Sequence, residues 1–475
     1  MFKKSLIALA VCSFALSACS DSDDNDDTTM PLSLEGNWVA PAYGLALTIE
    51  AADFQYYQFT GQTCQTFDAP FEESYEQLSS DVQLAADGQV LLNSFFGAKV
   101  PPVDFERQTL LPESCVSSLV ANFDEDGFVD DAIRDFDIFW QNFNDYYAFF
   151  ELKQVDWMQQ RDIWRPEVTA DISDFDLLDI LARMIEPLAD GHVEVASADG
   201  ELDFDFGGKP TFFDTVEQEF EQLPAGSEVE IDEYFEEQIE RAFEILADSF
   251  EEDAPVIEHE SGQAVWSVLP NNIGYLNLFA MAGYTDSEFP VDQLDAVDEM
   301  FDDIIDDLAD VDSMIIDLRF NGGGDDGTSA RIASRFADER TLGWQKQARL
   351  GDTRLPLSDV FIEPTTRSSF LKPVVLLTST ATASAAEVFT LAMREVADAR
   401  LVGEATQGIF SDILPKSLPN GITFTMSSEY YFSADGEFLE DQGVPVDVEA
   451  AFFTLEDRQN GQDTGLMAAQ ELLRN

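Results

Sequence analysis

Ser384 is the side chain in this sequence best placed to act as a nucleophile. It lies in Thr380-Ala381-Thr382-Ala383-Ser384-Ala385-Ala386-Glu387, directly after the apolar run Val374-Val375-Leu376-Leu377 and at the head of a helical pattern over 385–397. A serine on such a strand-to-helix turn holds its hydroxyl at the carboxyl edge of a sheet. There the first N–H groups of the helix face charge developing on a reacting carbonyl. This is the logic of a nucleophile elbow, reached without Gly-x-Ser-x-Gly. The same residues also spell a helix cap, since Ser384 with Glu387 three positions on completes a capping box. Local sequence is compatible with both.

A second candidate is Asp317-Leu318-Arg319-Phe320-Asn321-Gly322-Gly323-Gly324, an apolar strand ending in three glycines. Glycines there let backbone N–H groups approach a ligand closely. Phosphate fits poorly, because no Gly-Lys-Ser/Thr or dinucleotide fingerprint is present and Asp325-Asp326 would repel it. A hole for a transient oxyanion fits better. The base is the scarcest part, for the chain has only 2 histidines. His192 follows Asp190-Gly191 on a connection between a helical pattern and the strand-like Val193-Glu194-Val195. His259, in Ile257-Glu258-His259-Glu260, has no motif around it and reads as solvated or salt-bridged. A carboxylate in Glu440-Asp441-Gln442-Gly443-Val444-Pro445-Val446-Asp447 could orient an imidazole, an inference without weight on its own among 94 acids.

The elements that must position these groups are legible from periodicity. Ile133, Phe136, Phe139, Trp140, Phe143, Tyr146, Tyr147 and Phe150 recur at helical spacing, as do Leu177, Leu178, Leu181, Met184, Ile185 and Leu188. Both stripes read as core. From about residue 266 strands and helices alternate, with Ile273-Gly274-Tyr275-Leu276-Asn277-Leu278-Phe279, Met314-Ile315-Ile316-Asp317-Leu318 and the 374–377 run as buried strands. The fold class expected is α/β, or α+β across several domains. A small β-rich domain at 32–118 precedes a helical segment at 124–199, an acidic insertion at 200–262 with one helix over 232–250, a core at 266–455 and a helical tail at 456–475.

Residues 1–18 read as an export signal, with Lys3 and Lys4 before an apolar stretch too short to span a bilayer. Leu16-Ser17-Ala18-Cys19 resembles a lipobox, whose cysteine is lipidated, and 19–31 reads as an acidic tether. Ser20 after that cysteine is the pattern expected of sorting to the outer membrane, facing the periplasm. Of the 4 cysteines, Cys64 and Cys115 remain as a disulfide candidate in an oxidising compartment. With 25 Lys and Arg against 94 Asp and Glu, the net charge of −69 disfavours nucleic acid as a partner. The 45% of hydrophobic residues, 39 Phe among them, exclude disorder for most of the chain despite that charge.

Taken together these motifs resemble the S41 serine peptidases, the family of the tricorn core and the C-terminal processing proteases. The resemblance runs in order through Leu188-Ala189-Asp190-Gly191-His192, the strand with its glycine triplet, Ala383-Ser384-Ala385-Ala386-Glu387, Val402-Gly403-Glu404-Ala405-Thr406-Gln407-Gly408, residues 440–447 and the tail 463–473. It implies an S41-type core of mixed sheet and helices, and a serine endopeptidase working through an acyl-enzyme on peptide or protein substrates, without metal or cofactor. Processing proteases carry a catalytic lysine directly after the glycine matching Gly408; here Ile409 stands there and Lys416 is out of register. The tricorn-like branch uses a histidine and a glutamate. The resemblance therefore implies Ser384 as nucleophile, His192 as base and acid, and Glu440 as the residue orienting the imidazole. Gly324 and Ala385 would give the oxyanion-hole N–H groups, with Gly323 a substitute. One departure is Gly191, where the tricorn core has a serine. The same fold also serves ligand carriage, so a non-catalytic lipoprotein that binds peptide or apolar ligands is the alternative. No oligomeric state is implied.

Overall fold

Strict alternation of side chains gives the central sheet two buried faces. Met314 and Ile316 of the strand Ser313–Asp317 enter one hydrophobic cluster and Ile315 another. Val374 and Leu376 of the strand Val374–Thr378 do the same against Val375 and Leu377. A strand apolar at every position needs cover on both sides. The helices Pro290–Asp307, Asp326–Ala333 and Ala385–Ala397 cover one face. The helix Thr464–Arg474, with the end of Ile231–Ala247, covers the other.

This computed structural model describes residues 33–474, apart from 52, 68–73, 94–98, 225–226, 228 and 288. The expected export signal at 1–18, Cys19 and the tether at 19–31 lie outside the described residues. In the central sheet, strands 273–278, 313–317, 374–378, 400–403 and 448–449 run parallel in that spatial order, and 257–258 and 264–269 add an antiparallel edge. The turns after 317, 378 and 403 thus leave the sheet at one edge, the carboxyl edge where open α/β sheets bind ligands. The glycine triplet, the Ser384 turn and the 404–408 stretch sit on these turns, whereas Asp190-Gly191-His192 and residues 440–447 belong to other connections.

Two smaller sheets flank that edge. Thr341–Leu350 pairs with Ser358–Ile362 on one side and Glu429–Ser433 on the other. Glu194–Ala196, just after His192, pairs with Asp203–Asp205 and Thr423–Phe424. The aromatic stripe expected at 133–150 is the helix Ala132–Tyr146, packed with Asp174–Ile185 in its own cluster. The stretch 200–262 differs from expectation, for it forms two long helices, Thr211–Glu221 and Ile231–Ala247. The first was hidden because its apolar face is short, with only Phe212 and Val216 fully buried.

Eight strands between residues 36 and 120 form one sheet with its own core around Trp38, Leu47, Tyr56 and Phe105. Cys64 and Cys115 are joined by a disulfide across a separation of 51 residues. Closing a loop of that size removes denatured-state entropy worth about 4 kcal/mol. Paired Cys64→Ser and Cys115→Ser substitutions are expected to lower the unfolding free energy by about 2–4 kcal/mol in denaturant titration. An unchanged midpoint would sink that expectation.

Candidate active site

The Ser384 turn is strained. Its φ of 53° and ψ of −124° place a serine where L-residues rarely sit, a conformation that costs on the order of 1–3 kcal/mol and persists only when its surroundings hold it. Three bonds do so from the neighbouring glycine turn. Ala383 N–H donates to Asn321 O at 3.1 Å, Ser379 Oγ to Arg319 O at 2.6 Å and Thr382 Oγ1 to Leu318 O at 2.7 Å. Ser384 and Glu387 are placed as the expected capping box. The Ser384 N–H donates to Glu387 Oε2 at 3.0 Å, and the Glu387 N–H donates to the Ser384 carbonyl at 2.8 Å.

Ser384 also lines a cavity of about 150 Å³ together with Gly324, Asp326, Asp412 and Lys99. Gly324 adopts φ +144°, and a Cβ there would lie 2.5 Å from the Met281 carbonyl carbon. Only glycine can follow that path. Among the described residues, the N–H groups of Gly324 and Ala385 donate to no protein acceptor, whereas Gly323 N–H is committed to Asn321 Oδ1 at 2.9 Å. Gly323 is therefore occupied as a donor, and its close approach serves packing: a Cβ on it would meet Ser384 Cβ at 2.8 Å.

His192 is 6% exposed and ends a tight turn built on Asp190. Asp190 Oδ1 accepts the His192 N–H at 3.0 Å and the Ser427 hydroxyl at 3.1 Å, and Asp190 Oδ2 accepts the Tyr147 hydroxyl at 2.9 Å. Thr425 Oγ1 donates to His192 O at 2.9 Å, so the backbone is fixed from both sides. Burial lowers the imidazole pKa, and the charges of Asp190 and Asp412, the Ser411 backbone and the charge of Asp205 offset this only in part. Gly191 faces Ile409: a Cβ at 191 would stand 3.3 Å from Ile409 Cδ1. Gly191, directly before the histidine, and Ile409, directly after Gly408, are thus close neighbours.

One loop, residues 404–413, touches every part of this arrangement. Its Gly408 and Ile409 N–H groups donate to Glu387 at 2.7 and 2.9 Å, and Thr406 Oγ1 does so at 2.6 Å. Its Phe410 N–H donates to Glu440 Oε2 at 3.1 Å, the Ser411 backbone faces His192, and Asp412 lines the Ser384 cavity. Gly408 needs its φ of +87°, since a Cβ there would strike Gln442 N at 2.7 Å. Burial pushes the Glu387 carboxyl up to about 7, against the pull of its four donors. Burial, with Asp190 and Glu387 nearby, pushes Glu440 well above the usual range.

The structure brings Ser384, Gly324 and Ala385 together, but it makes no hydrogen bond from His192 to Ser384 or to Glu440. Among the described residues, His192 Nδ1 and Glu440 Oε1 are both buried without a hydrogen-bond partner. A buried orphan nitrogen and a buried orphan carboxylate oxygen served by the same loop are complementary, and each is costly to leave unpaired. Lys416 lies elsewhere: its Nζ donates to Tyr43 O at 2.6 Å and Gly44 O at 3.1 Å, under the N-terminal sheet. His259 pairs with Ser261 Oγ at 2.8 Å in a hairpin turn. Among the described residues no cluster of His, Cys, Asp and Glu is arranged to hold a metal ion.

Sequence reasoning missed the charged side chains behind the serine. Lys346 Nζ donates to Asp412 at 2.7 Å, Glu429 at 3.2 Å and the Tyr431 hydroxyl at 3.1 Å, and Tyr431 donates to Asp326 at 2.7 Å. Burial pushes Asp326 up to about 7. A lysine in the middle of the otherwise alternating strand 341–350 was the only available signal.

Comparison with known proteins agrees with this topology. The model of peptidase family S41 matches residues 272–450, and that of the tricorn protease C1 domain matches residues 131–186. These two matches cover the sheet with its three turns and the helices before His192, so residues 272–450 are similar to the S41 peptidases and residues 131–186 to the tricorn C1 domain. The carboxy-terminal processing protease CtpA of Bacillus subtilis (strain 168) is 27% identical over 180 residues, which are 38% of this chain and 35% of that protein. The chain thus spans about a third of the length of the curated relative it matches. A candidate peptidase from Parabacteroides merdae shares the fold with a TM-score of 0.56 and 23% identity, over 73% of this chain and 97% of that one. A CPAF mutant does so at 0.50 and 14%, over 73% and 98%.

Proposed function

We propose that the protein is a serine endopeptidase that cleaves peptide bonds through an acyl-enzyme on Ser384. The observation that carries this reading is the strained Ser384 turn beside a cavity, next to two uncommitted amides, Gly324 N–H and Ala385 N–H. Ser384 Oγ adds to the scissile carbonyl while its proton passes to neutral His192. The oxyanion is held by the two amides. Collapse breaks the C–N bond, His192 returns the proton to the leaving amine, and water then hydrolyses the ester by the same route reversed. Glu440 stabilises the imidazolium, whose charge would draw its raised carboxyl back toward ionisation. The two orphaned atoms, Nδ1 and Oε1, are the pair such a contact would satisfy. Polypeptide is the substrate class, and the sequence at Cys19 supports an enzyme anchored by lipid in the cell envelope, at an outer membrane.

A fluorophosphonate is expected to label the wild-type protein at one site and to leave Ser384→Ala unlabelled. Folded wild type that stays unlabelled, with no peptide cleaved, would overturn the reading. The absence of a hydrogen bond from His192 to Ser384 or Glu440 favours one second reading, a member of this fold that binds peptide or apolar ligands without cleaving them. Thermal stabilisation by such ligands in unlabelled protein is its signature.

A further inference from the structure

The cavity at Ser384 is walled mostly by the peptidase core, but Lys99 reaches it from the end of the N-terminal sheet. Lys99 Nζ lies 3.1 Å from Asp412 Oδ2, the oxygen that Lys346 Nζ approaches to 2.7 Å, and its side chain is 5% exposed. Burial opposes ionisation of Asp412, yet Lys346 and Lys99 together outweigh it and hold the carboxyl well below its usual range. The N-terminal sheet is tied to the same cluster a second time, through the Tyr43 hydroxyl on Glu429 Oε1 at 2.6 Å.

We propose that Lys99 is a positioning residue for the reaction at Ser384, so that the N-terminal β-domain completes the catalytic site. Three buried carboxylates, Asp326, Asp412 and Glu429, share this space with Lys346 alone once Lys99 is gone. One buried cation cannot satisfy all of them, and removing one partner from a buried pair leaves its charge uncompensated. The member that yields is Asp412, because it sits on the loop that also carries the Phe410 bond to Glu440 and the Ser411 backbone facing His192. Lys99 thereby acts through Asp412 on two properties of His192, its place and its charge environment. The groups facing His192 are Asp190 on its own turn, Ser411 and Asp412 on the loop, and Asp205 on the paired strand. Lys99 is assigned as a positioning residue and not as the base, because its Nζ is engaged by Asp412 at 3.1 Å.

The inference rests on the reading of Ser384 as nucleophile, and the test separates the two. Labelling by a fluorophosphonate is followed as a rate against pH for wild type, Lys99→Met and Lys99→Arg. Lys99→Met should slow labelling by about tenfold or more and move the rising limb up by roughly half a pH unit, because the field of Asp412 at His192 is no longer offset. Lys99→Arg should restore both to near wild type. Wild type that never labels defeats the reading of Ser384. Labelled wild type with an indifferent Lys99→Met defeats only the proposal. So does a Lys99→Met that loses rate with an unmoved limb and a lowered melting temperature, which marks a merely structural residue.

Discussion

Replacing His192 with glutamine is expected to slow acylation of Ser384 by roughly 10³–10⁴-fold while leaving the protein folded. A general base contributes on the order of 10²–10⁴, and loss of one member of a catalytic set removes most of what the set supplies. Glutamine keeps much of the volume of a side chain that is only 6% exposed, so the effect falls on proton transfer more than on packing. The pH profile gives the sign. Burial lowers the imidazole below its ordinary 6.5, and the neutral form is the competent one. Activity should therefore be present above that lowered value and be lost as pH falls through it, with a rising limb below 6.5. A limb at neutrality or above points to an amine. Lys416 is the amine to compare, because burial lowers it to about 7 and acidity alone would make it the better base. Its Nζ is spent on two carbonyls under the N-terminal sheet and does not line the Ser384 cavity. Lys416→Met should label within about threefold of wild type; slow labelling there with an intact His192→Gln would reverse the assignment.

The parts of this site that sequence revealed are those that chemistry forces to be local. A serine at the head of a helix, three glycines after a strand and Asp-Gly-His between a helix and a strand each need their neighbours in the chain. The strands 313–317 and 374–378 were legible because a sheet covered on both faces leaves no polar position to disguise it. The cluster behind Ser384 was not. Lys99, Lys346 and Asp412 meet across 313 residues of chain, from separate sheets and a loop, and no spacing rule links them. An aspartate such as Asp412 is one of 94 acids, and only its two lysine partners set it apart. The loop 404–413 shows the same limit. It reads as a turn after a strand, yet its amides serve Glu387 and Glu440 at once, a role set by tertiary approach alone. Glu440 illustrates the converse: the resemblance names it, while among the described residues its carboxylate accepts from the Phe410 N–H and makes no bond to the imidazole it is expected to orient.

Gly324→Ala is expected to cost about 10²–10³ in the rate of acylation, the magnitude of losing one oxyanion donor. Two effects converge at this position. The φ of +144° is one that a residue with a Cβ rarely adopts, so alanine strains the turn wherever it sits. Space is also lacking, since the new methyl would stand 2.5 Å from Met281 C and 2.6 Å from Met281 O. Those are backbone atoms, held in place by Met281 N–H on Gly323 O at 2.7 Å and Asp325 N–H on Met281 O at 3.0 Å. Neither partner can swing aside as a side-chain tip would, and the glycine turn must move instead. It carries the Gly324 amide out of line with the Ala385 amide. Gly322→Ala is the control, because a Cβ there meets nothing within 4 Å. It should label nearly as fast as wild type. The decisive measurement is the split between binding and rate. If the Gly324 amide acts on the oxyanion, Gly324→Ala lowers the maximal acylation rate and leaves the half-saturating concentration of a peptide ester little changed. A variant whose half-saturation rises while its maximal rate holds would show that the amide binds the ground state, and the oxyanion role would fall.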